Sequence, residues 1–216
     1  MPAKNRIRQY LADSSYHCYN RGVEKRQIFL DKQDYSVFLS YLKDYLSPID
    51  NGDIQSRISN RVKNYSDDIS LLAYCLMPNH YHLMLHQQTK NGIIHFMQSL
   101  STRYTMYFNS KYKRVGSLFQ GTYKAVHVLT DEQLIYLSYY IHHQATIGLQ
   151  GQTLQVQNPS SLPIYLEHIT QNWVKPNRVL AWFDTSRSSI NNYRKFIDQI
   201  DSGRDVVNPI EKLLLE

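Results

Sequence analysis

The chain has 216 residues, 42% of them apolar, and a formal net charge of +6 at pH 7. Its size and apolar content are those of one globular domain, and the basic excess favours a polyanionic partner, because lysine and arginine release counterions from a phosphate backbone. No run approaches the roughly 18 apolar residues of a membrane span and no signal peptide is visible, so we expect a cytoplasmic protein with no membrane partner.

The first part of the chain predicts a strand, a helix and a loop. Residues 14–22 have the composition of a strand that ends in a turn at Asn20 and Arg21. Asp31 predicts the N-cap of a helix whose apolar residues recur at helical spacing. Residues 47–67 are polar and predict a loop.

A β-hairpin follows. Residues 69–77 form an apolar run of strand length, and residues 80–87 form a second run. Pro78 and Asn79 supply the turn between them. Of the two cysteines, Cys75 lies in the first hairpin strand and Cys18 in the opening strand. We expect both thiols to be reduced and buried.

The rest of the chain completes the fold. Asn91 predicts the cap of a helix to about residue 109, residues 121–129 predict a strand, and Asp131 predicts the cap of another helix. The order strand, helix, strand, strand, helix, strand, helix predicts a ferredoxin-like α+β sandwich, with a mainly antiparallel sheet and helices on one face. We expect a domain over residues 1–150 and a C-terminal extension, 151–216, that packs on or beside it and ends in a helix.

The sharpest local motif is His80-Tyr81-His82 on the second hairpin strand. Side chains alternate across a strand, so His80 and His82 point to one face, where two imidazoles can bind one metal ion. For an isolated motif of this kind, two exposed histidines on a half-solvated face are the more frequent explanation. His86 shares the face but lies about 13 Å along the strand from His82, so we expect a neighbour and not a ligand.

A second motif joins Tyr140 to Gln144 in the helix after Asp131. Residues four apart share a helix face, so an amide oxygen can complete a metal site beside a tyrosine hydroxyl. Tyr139 is rotated by about 100° and cannot serve the same site. A core tyrosine near an exposed amide is the alternative. Together with the histidine pair, the motif predicts phosphodiester chemistry with a tyrosine nucleophile.

Basic and aromatic residues alternate between the two motifs. The basic ones are Arg103, Lys111, Lys113, Arg114 and Lys124, and the aromatic ones include Tyr104, Tyr107, Tyr112, Phe119 and Tyr123. Such a combination can hold phosphates and stack the bases of a single strand. A solvated helix face followed by a loop explains the charges as well. We expect His142 and His143 to lie on a helix surface, and leave open which way His127 points.

Several stretches resemble one protein family. LLAYCLMPNHYHLMLH, residues 71–86, is similar to the metal-binding strand pair of the bacterial single-tyrosine HUH transposases, which are IS200-like. More narrowly, it resembles the REP-associated tyrosine transposases. Residues 96–128 are similar to the helix, basic loop and strand that follow in that group, YHCYNRG to its first strand, and residues 179–198 to the C-terminal piece of its longer members.

The resemblance implies an enzyme of DNA transposition and recombination. It makes His80 and His82 the metal-ligand pair, Tyr140 the nucleophile and Gln144 the third ligand. It also implies Mg²⁺ or Mn²⁺, cleavage of single-stranded DNA that carries a hairpin, a 5′-phosphotyrosine and a free 3′-OH. Relatives include monomers and homodimers, so either state stays open. The residues expected to contact DNA are Asn20, Arg21, Arg103, Lys111, Lys113, Arg114, Tyr123 and Lys124.

Two positions depart from the family pattern. The usual Asn-Pro after the tyrosine is Gln144-Ala145, and without the proline the helix is free to continue. Thr122 stands where the family often has an arginine, which removes one phosphate contact. These departures keep a second hypothesis open, in which the chain binds hairpin DNA but has lost catalysis. A replication initiator or relaxase is less favoured, since the chain is short and has no helicase-like segment.

Overall fold

The computed structural model describes residues 10–48, 63–145, 158–183 and 189–201. Its strands are β1 (Ser14–Arg21), β2 (Ile69–Met77), β3 (His80–Gln87) and β4 (Lys124–Val128). Its helices are α1 (Lys32–Leu46), α2 (Gly92–Lys111), α3 (Asp131–Gln144), α4 (Leu162–Tyr165), α5 (Asn177–Leu180) and α6 (Ser189–Asp201). No helix in these ranges has the length and apolar character needed to cross a membrane.

The four strands form one sheet in the order β2-β3-β1-β4, and every neighbouring pair is antiparallel. With one helix between β1 and β2 and another between β3 and β4, this is the ferredoxin-like arrangement. The predicted α+β sandwich is therefore confirmed. The strand that carries both histidines, β3, is central, so neighbours on each side enclose them.

Helices cover both faces of the sheet, whereas the sequence predicted one. As predicted, α1 and α2 share a face, where Phe38 and Leu100 pack with Tyr81 in one buried cluster. The tyrosine helix α3 lies on the other face, where its apolar residues Leu137 and Ile141 join a second cluster. The one-face expectation was wrong for α3 because this helix has its own apolar stripe to bury.

The N-cap predicted for α1 is confirmed, whereas the N-cap predicted for α3 is displaced by one residue. Asp31 caps α1 as predicted, since its carboxylate accepts a hydrogen bond from the backbone N–H of Asp34 at 3.0 Å. The cap of α3 is Thr130, whose hydroxyl accepts from the backbone N–H of Gln133 at 3.2 Å. Asp131, predicted as that cap, is the first helical residue, where a carboxylate stabilises the helix dipole.

The C-terminal segment runs along the free edge of β2. Cys75 pairs with Ser160, and the backbone N–H of Lys175 donates to the carbonyl of Leu71 at 2.8 Å. Beyond that edge, α6 packs against α3. Cys18 and Cys75 are buried free thiols, as expected. Residues 49–62 of the predicted loop and 202–216 of the extension lie outside the described residues.

Candidate metal and tyrosine site

Two histidine rings meet on the face of the sheet that α3 covers. The ring centroids of His80 and His82 are 4.9 Å apart, His82 is fully buried and His80 is half-buried. They stand opposite Arg21 and Tyr19 of β1. The strand alternation predicted from the sequence therefore does bring the two imidazoles together on one face.

A third histidine, which the sequence analysis did not single out, supports this pair. Nε2 of His17, on β1, lies 2.8 Å from Nδ1 of His82. His17 is itself fully buried. The chain separates the two residues by 65 positions, so only the pairing of β1 with β3 reveals the contact.

Hydrogen bonds bear on which nitrogen of each ring stays open. The side-chain amide of Asn79 donates to the carbonyl of Lys25 at 3.3 Å, so its oxygen faces Nδ1 of His80, 2.6 Å away, and accepts that proton. Nε2 of His80 is then the unprotonated atom. Nε2 of His82 is likewise unprotonated in the tautomer in which Nδ1 of His82 donates to Nε2 of His17.

The Nε2 atom of His82 is buried and has no hydrogen-bond partner within the described residues. A buried polar atom of this kind is rare in native structures unless an ion or water completes it. Two open imidazole nitrogens on one face fit a divalent metal ion. A ligating histidine usually donates its other N–H to a neighbouring group, and His17 lies where Nδ1 of His82 can donate to it. No three His, Cys, Asp or Glu side chains of the described ranges converge on one point, so an amide such as that of Gln144 would have to complete the set.

The electrostatics keep both imidazoles neutral near pH 7. Burial, with a contribution from Arg21, lowers the pKa of His80 to about 4. Burial also holds the pKa of His82 well below 6.5, with added repulsion from His17, His80 and Arg21. The neutral ring is the form that binds a metal ion.

One tyrosine faces these rings. The ring centroid of Tyr140 lies 5.5 Å from that of His82 and 6.2 Å from that of His17, with near-perpendicular planes. Its neighbour Tyr139 points away, and its hydroxyl donates to Asp201 of α6 at 2.7 Å. Gln144 is half-buried and is the last residue of α3, one turn after Tyr140. The helix ends there despite the missing proline.

The predicted DNA contacts divide between the two faces of the sheet. Arg21 and Lys124 share the histidine face, where the Lys124 ammonium lies 5.8 Å from the ring centroid of Tyr19. Asn20 and Tyr123 line a cavity of about 400 Å³ beside α2, on the opposite face. The Asn20 amide donates there to the carbonyl of Gly121 at 3.2 Å.

The basic residues of α2 and the following loop differ in their partners. Arg103 forms an ion pair with Asp44 at 2.9 Å, and Lys111 forms ion pairs with Asp31 and Asp34. The Arg114 guanidinium donates to the side chain of Asn109 at 3.2 Å. Lys113 is exposed and has no carboxylate partner among the described residues.

The structure corrects the expected position of His142 and gives the direction of His127, which the sequence left open. His142 is 1% exposed, so the prediction of a surface position was wrong. The cause is α6, which covers that side of α3 and is distant in sequence. His127 faces the α1 and α2 side of the sheet and stacks on Tyr16 at 4.9 Å, which removes it from the histidine site.

Comparison with known proteins gives one family and one clear structural match. The family model described as transposase, IS200-like, matches residues 41–144, a range that includes His80, His82, Tyr140 and Gln144. A REP-associated tyrosine transposase solved bound to a REP hairpin superposes with a TM-score of 0.54 and 11% identity, over 77% of this chain and 86% of that one. Since the identity is so low, this match shows the fold alone.

A second solved structure, described as a transposase from Deinococcus radiodurans, has a TM-score of 0.38 and 19% identity, over 64% of this chain and 96% of that one. No curated protein sequence matches the chain.

Proposed function

We propose that the chain is a member of the IS200-like transposase family, whose family model matches residues 41–144, and that it is a metal-dependent endonuclease and strand transferase that cuts single-stranded DNA through a covalent tyrosine intermediate. The observation that carries the proposal is the approach of the Tyr140 ring to His82 within one chain, 5.5 Å between centroids. A tyrosine beside two open imidazole nitrogens has the groups that phosphodiester transfer requires.

In the proposed reaction the Tyr140 oxygen attacks the phosphorus of one phosphodiester. The new O–P bond gives a 5′-phosphotyrosine, the bond from phosphorus to the 3′-oxygen breaks, and that oxygen leaves as a 3′-OH after it takes up a proton. The covalent ester conserves the bond energy, so a second 3′-OH can reverse the reaction and join strands. The ordinary pKa of a tyrosine is near 10, so the hydroxyl must be activated before it attacks.

Other side chains of the site would bind the metal ion and the DNA phosphates. His80 and His82 would hold Mg²⁺ or Mn²⁺ through Nε2, with Gln144 as the third ligand. Asn79 would keep the His80 ring in the required tautomer, and His17 would do the same for the His82 ring by accepting from Nδ1. The bound metal would polarise a non-bridging phosphate oxygen and offset the charge that develops on it. Arg21 and Lys124, on the same face, would hold the flanking phosphates.

We propose a DNA hairpin as the recognised structure and the cytoplasm as the place of action. The structural relative was solved with a REP hairpin, and this chain has the same fold. The proposed contacts to the DNA are Asn20, Arg21, Arg103, Lys111, Lys113, Arg114, Tyr123 and Lys124. Of these, Arg103 and Lys111 also have carboxylate partners in the protein, so their contacts to phosphate would compete with ion pairs.

The test is a covalent-adduct assay. Purified protein is mixed with labelled single-stranded DNA that carries the hairpin flanking its own gene, with Mn²⁺ or EDTA, and separated on a denaturing gel. We expect a metal-dependent shifted band that Tyr140→Phe and His82→Ala abolish. Tyr136→Phe is the matched control, since it removes a hydroxyl one turn earlier on α3 and should keep the band.

Two results would contradict the proposal. An adduct that survives in Tyr140→Phe would mean that another residue is the nucleophile. DNA binding without any adduct in the unchanged protein would favour the alternative, a hairpin-binding protein that has lost catalysis.

A further inference from the structure

A buried hydrogen-bond network joins the tyrosine helix α3 to α6 and to Ser161, on the side of α3 away from the metal site. At its centre, Nδ1 of His142 lies 2.7 Å from the hydroxyl of Tyr193 on α6, and its Nε2 lies 2.8 Å from Oγ of Ser161. Ser138, one turn before His142, brings its own hydroxyl within 3.1 Å of Tyr193. All four side chains are buried.

The network continues into the sheet. The backbone N–H of Tyr74, on β2, donates to Oγ of Ser161 at 2.9 Å. The backbone N–H of Ser161 donates back to the carbonyl of Tyr74 at 3.0 Å. Hydrogen bonds therefore connect the sheet to α3 and α3 to α6 without a break.

A second contact holds the outer flank of α3. Asp201, at the end of α6, accepts the hydroxyl proton of Tyr139 at 2.7 Å and lies 3.7 Å from Nε2 of His143. The same C-terminal helix thus contacts α3 over nearly two consecutive turns, from Ser138 to His143. Buried polar networks whose members are satisfied specify one arrangement, because any slip leaves several groups unpaired.

Helix geometry couples the hydrogen bonds of His142 to the position of Tyr140. Successive helix residues are rotated by about 100°, so His142 and Tyr140 are about 200° apart and point to opposite sides of α3. A rotation or a shift of α3 that broke the His142 contacts would also move Tyr140 relative to His82. A displacement of about 1 Å at a reacting group is enough to slow a reaction by about 100-fold.

We propose that His142 and Tyr193 are positioning residues that lock the tyrosine helix onto its own sheet, so that Tyr140 attacks in cis and chains do not exchange this helix. The inference rests on the proposed function, since the position of Tyr140 matters to catalysis only if Tyr140 is the nucleophile. It assigns to the C-terminal helix a part in catalysis, although none of its described side chains reaches the histidine pair.

The first experiment separates positioning from general stability. Tyr193→Phe removes only the hydroxyl and keeps the ring against Tyr165 and Phe183. Tyr165→Phe is the matched control, since it also removes one buried hydroxyl, whose hydrogen bond to the carbonyl of Leu72 at 2.9 Å does not involve α3. We expect Tyr193→Phe to lower the single-turnover rate of adduct formation at saturating DNA by about tenfold or more, with the Kd for DNA unchanged. Equal rates in the two variants would overturn the inference.

The second experiment leaves the network intact and tests the cis prediction. His82→Ala chains, which keep Tyr140, are mixed with Tyr140→Phe chains, which keep the histidine pair. We expect no adduct from the mixture, because each chain holds its own α3. An adduct restored by mixing would show helix exchange and overturn the inference alone, whereas no adduct from the unchanged chain would overturn the proposed function.

Discussion

His17 and His82 form a buried imidazole pair in which Nε2 of the first lies 2.8 Å from Nδ1 of the second. The contact crosses from β1 to β3 and orients the one ring nitrogen of His82 that has no partner in the described structure. Removing a group that orients a metal ligand in this way commonly weakens metal binding by about 10- to 100-fold.

We therefore predict that His17→Ala weakens Mn²⁺ binding by about 10- to 100-fold while the protein still folds. Isothermal titration of the DNA-free protein with Mn²⁺ measures the effect directly, without any need for activity. His127→Ala is the control, because His127 lies on the other face of the sheet, stacked on Tyr16. Unchanged Mn²⁺ affinity in His17→Ala would mean that His17 only fills space.

Gln144 is the last residue of α3 and stands where the family resemblance places the third ligand, usually an asparagine. We predict that Gln144→Ala weakens Mn²⁺ binding and that Gln144→Asn retains it, since an amide oxygen is kept. The two variants are compared by the same titration. If Gln144→Ala binds Mn²⁺ as tightly as the unchanged chain, the third ligand is another group and the sequence assignment fails.

The features that the sequence predicted depend on residues close together in the chain, whereas the features that it missed depend on contacts between distant residues. The shared face of His80 and His82 follows from strand alternation, which is local, and the hairpin around Pro78 and Asn79 is local as well. His17 and the burial of His142 depend on contacts across 65 and 51 residues. Only the strand order and the docking of α6 create those contacts, so no pattern within one element indicates them.

The same distinction applies to the basic segment, where Lys111 and Lys113 look alike in sequence but differ in structure. The Lys111 ammonium contacts Asp31 at 2.7 Å and Asp34 at 2.8 Å, whereas Lys113 is exposed. We predict that Lys113→Ala lowers the affinity for hairpin DNA uniformly across sequences and reduces the slope of log K against log salt by about one.

For Lys111→Ala we expect in addition a loss of folding stability, because the buried carboxylate of Asp34 loses its cation. Fluorescence anisotropy at several salt concentrations and urea unfolding of both variants separate the two effects. A larger loss of stability in Lys113→Ala than in Lys111→Ala would contradict this assignment.

The Asp34 carboxylate makes the fold sensitive to acid. It is fully buried, and it accepts hydrogen bonds from Lys111, Tyr112 and the backbone N–H of Leu30, each at 2.8 Å. Burial acts to raise the pKa of Asp34, but the hydrogen bonds from Lys111, Leu30 and the two nearby tyrosines lower it below its ordinary value. A carboxyl group with a depressed folded pKa stabilises the fold above its unfolded pKa, near 4, and this contribution is lost as the pH falls through the folded pKa.

We predict that Asp34→Asn lowers the free energy of unfolding at pH 7 by more than the roughly 1 kcal/mol of an exposed pair, since it leaves Lys111 with only the half-exposed Asp31 as a counter-charge. The variant should then lose less stability than the unchanged chain between pH 5 and pH 3, because the group whose protonation destabilises the fold is gone. Urea unfolding at pH 7, 5, 4 and 3 measures both quantities. Asp44→Asn is the control, because Asp44 pairs with Arg103 while 43% exposed, and exposed pairs contribute less than about 1 kcal/mol. Parallel pH profiles for Asp34→Asn and the unchanged chain would show that other carboxylates govern acid unfolding, and would remove Asp34 from that role.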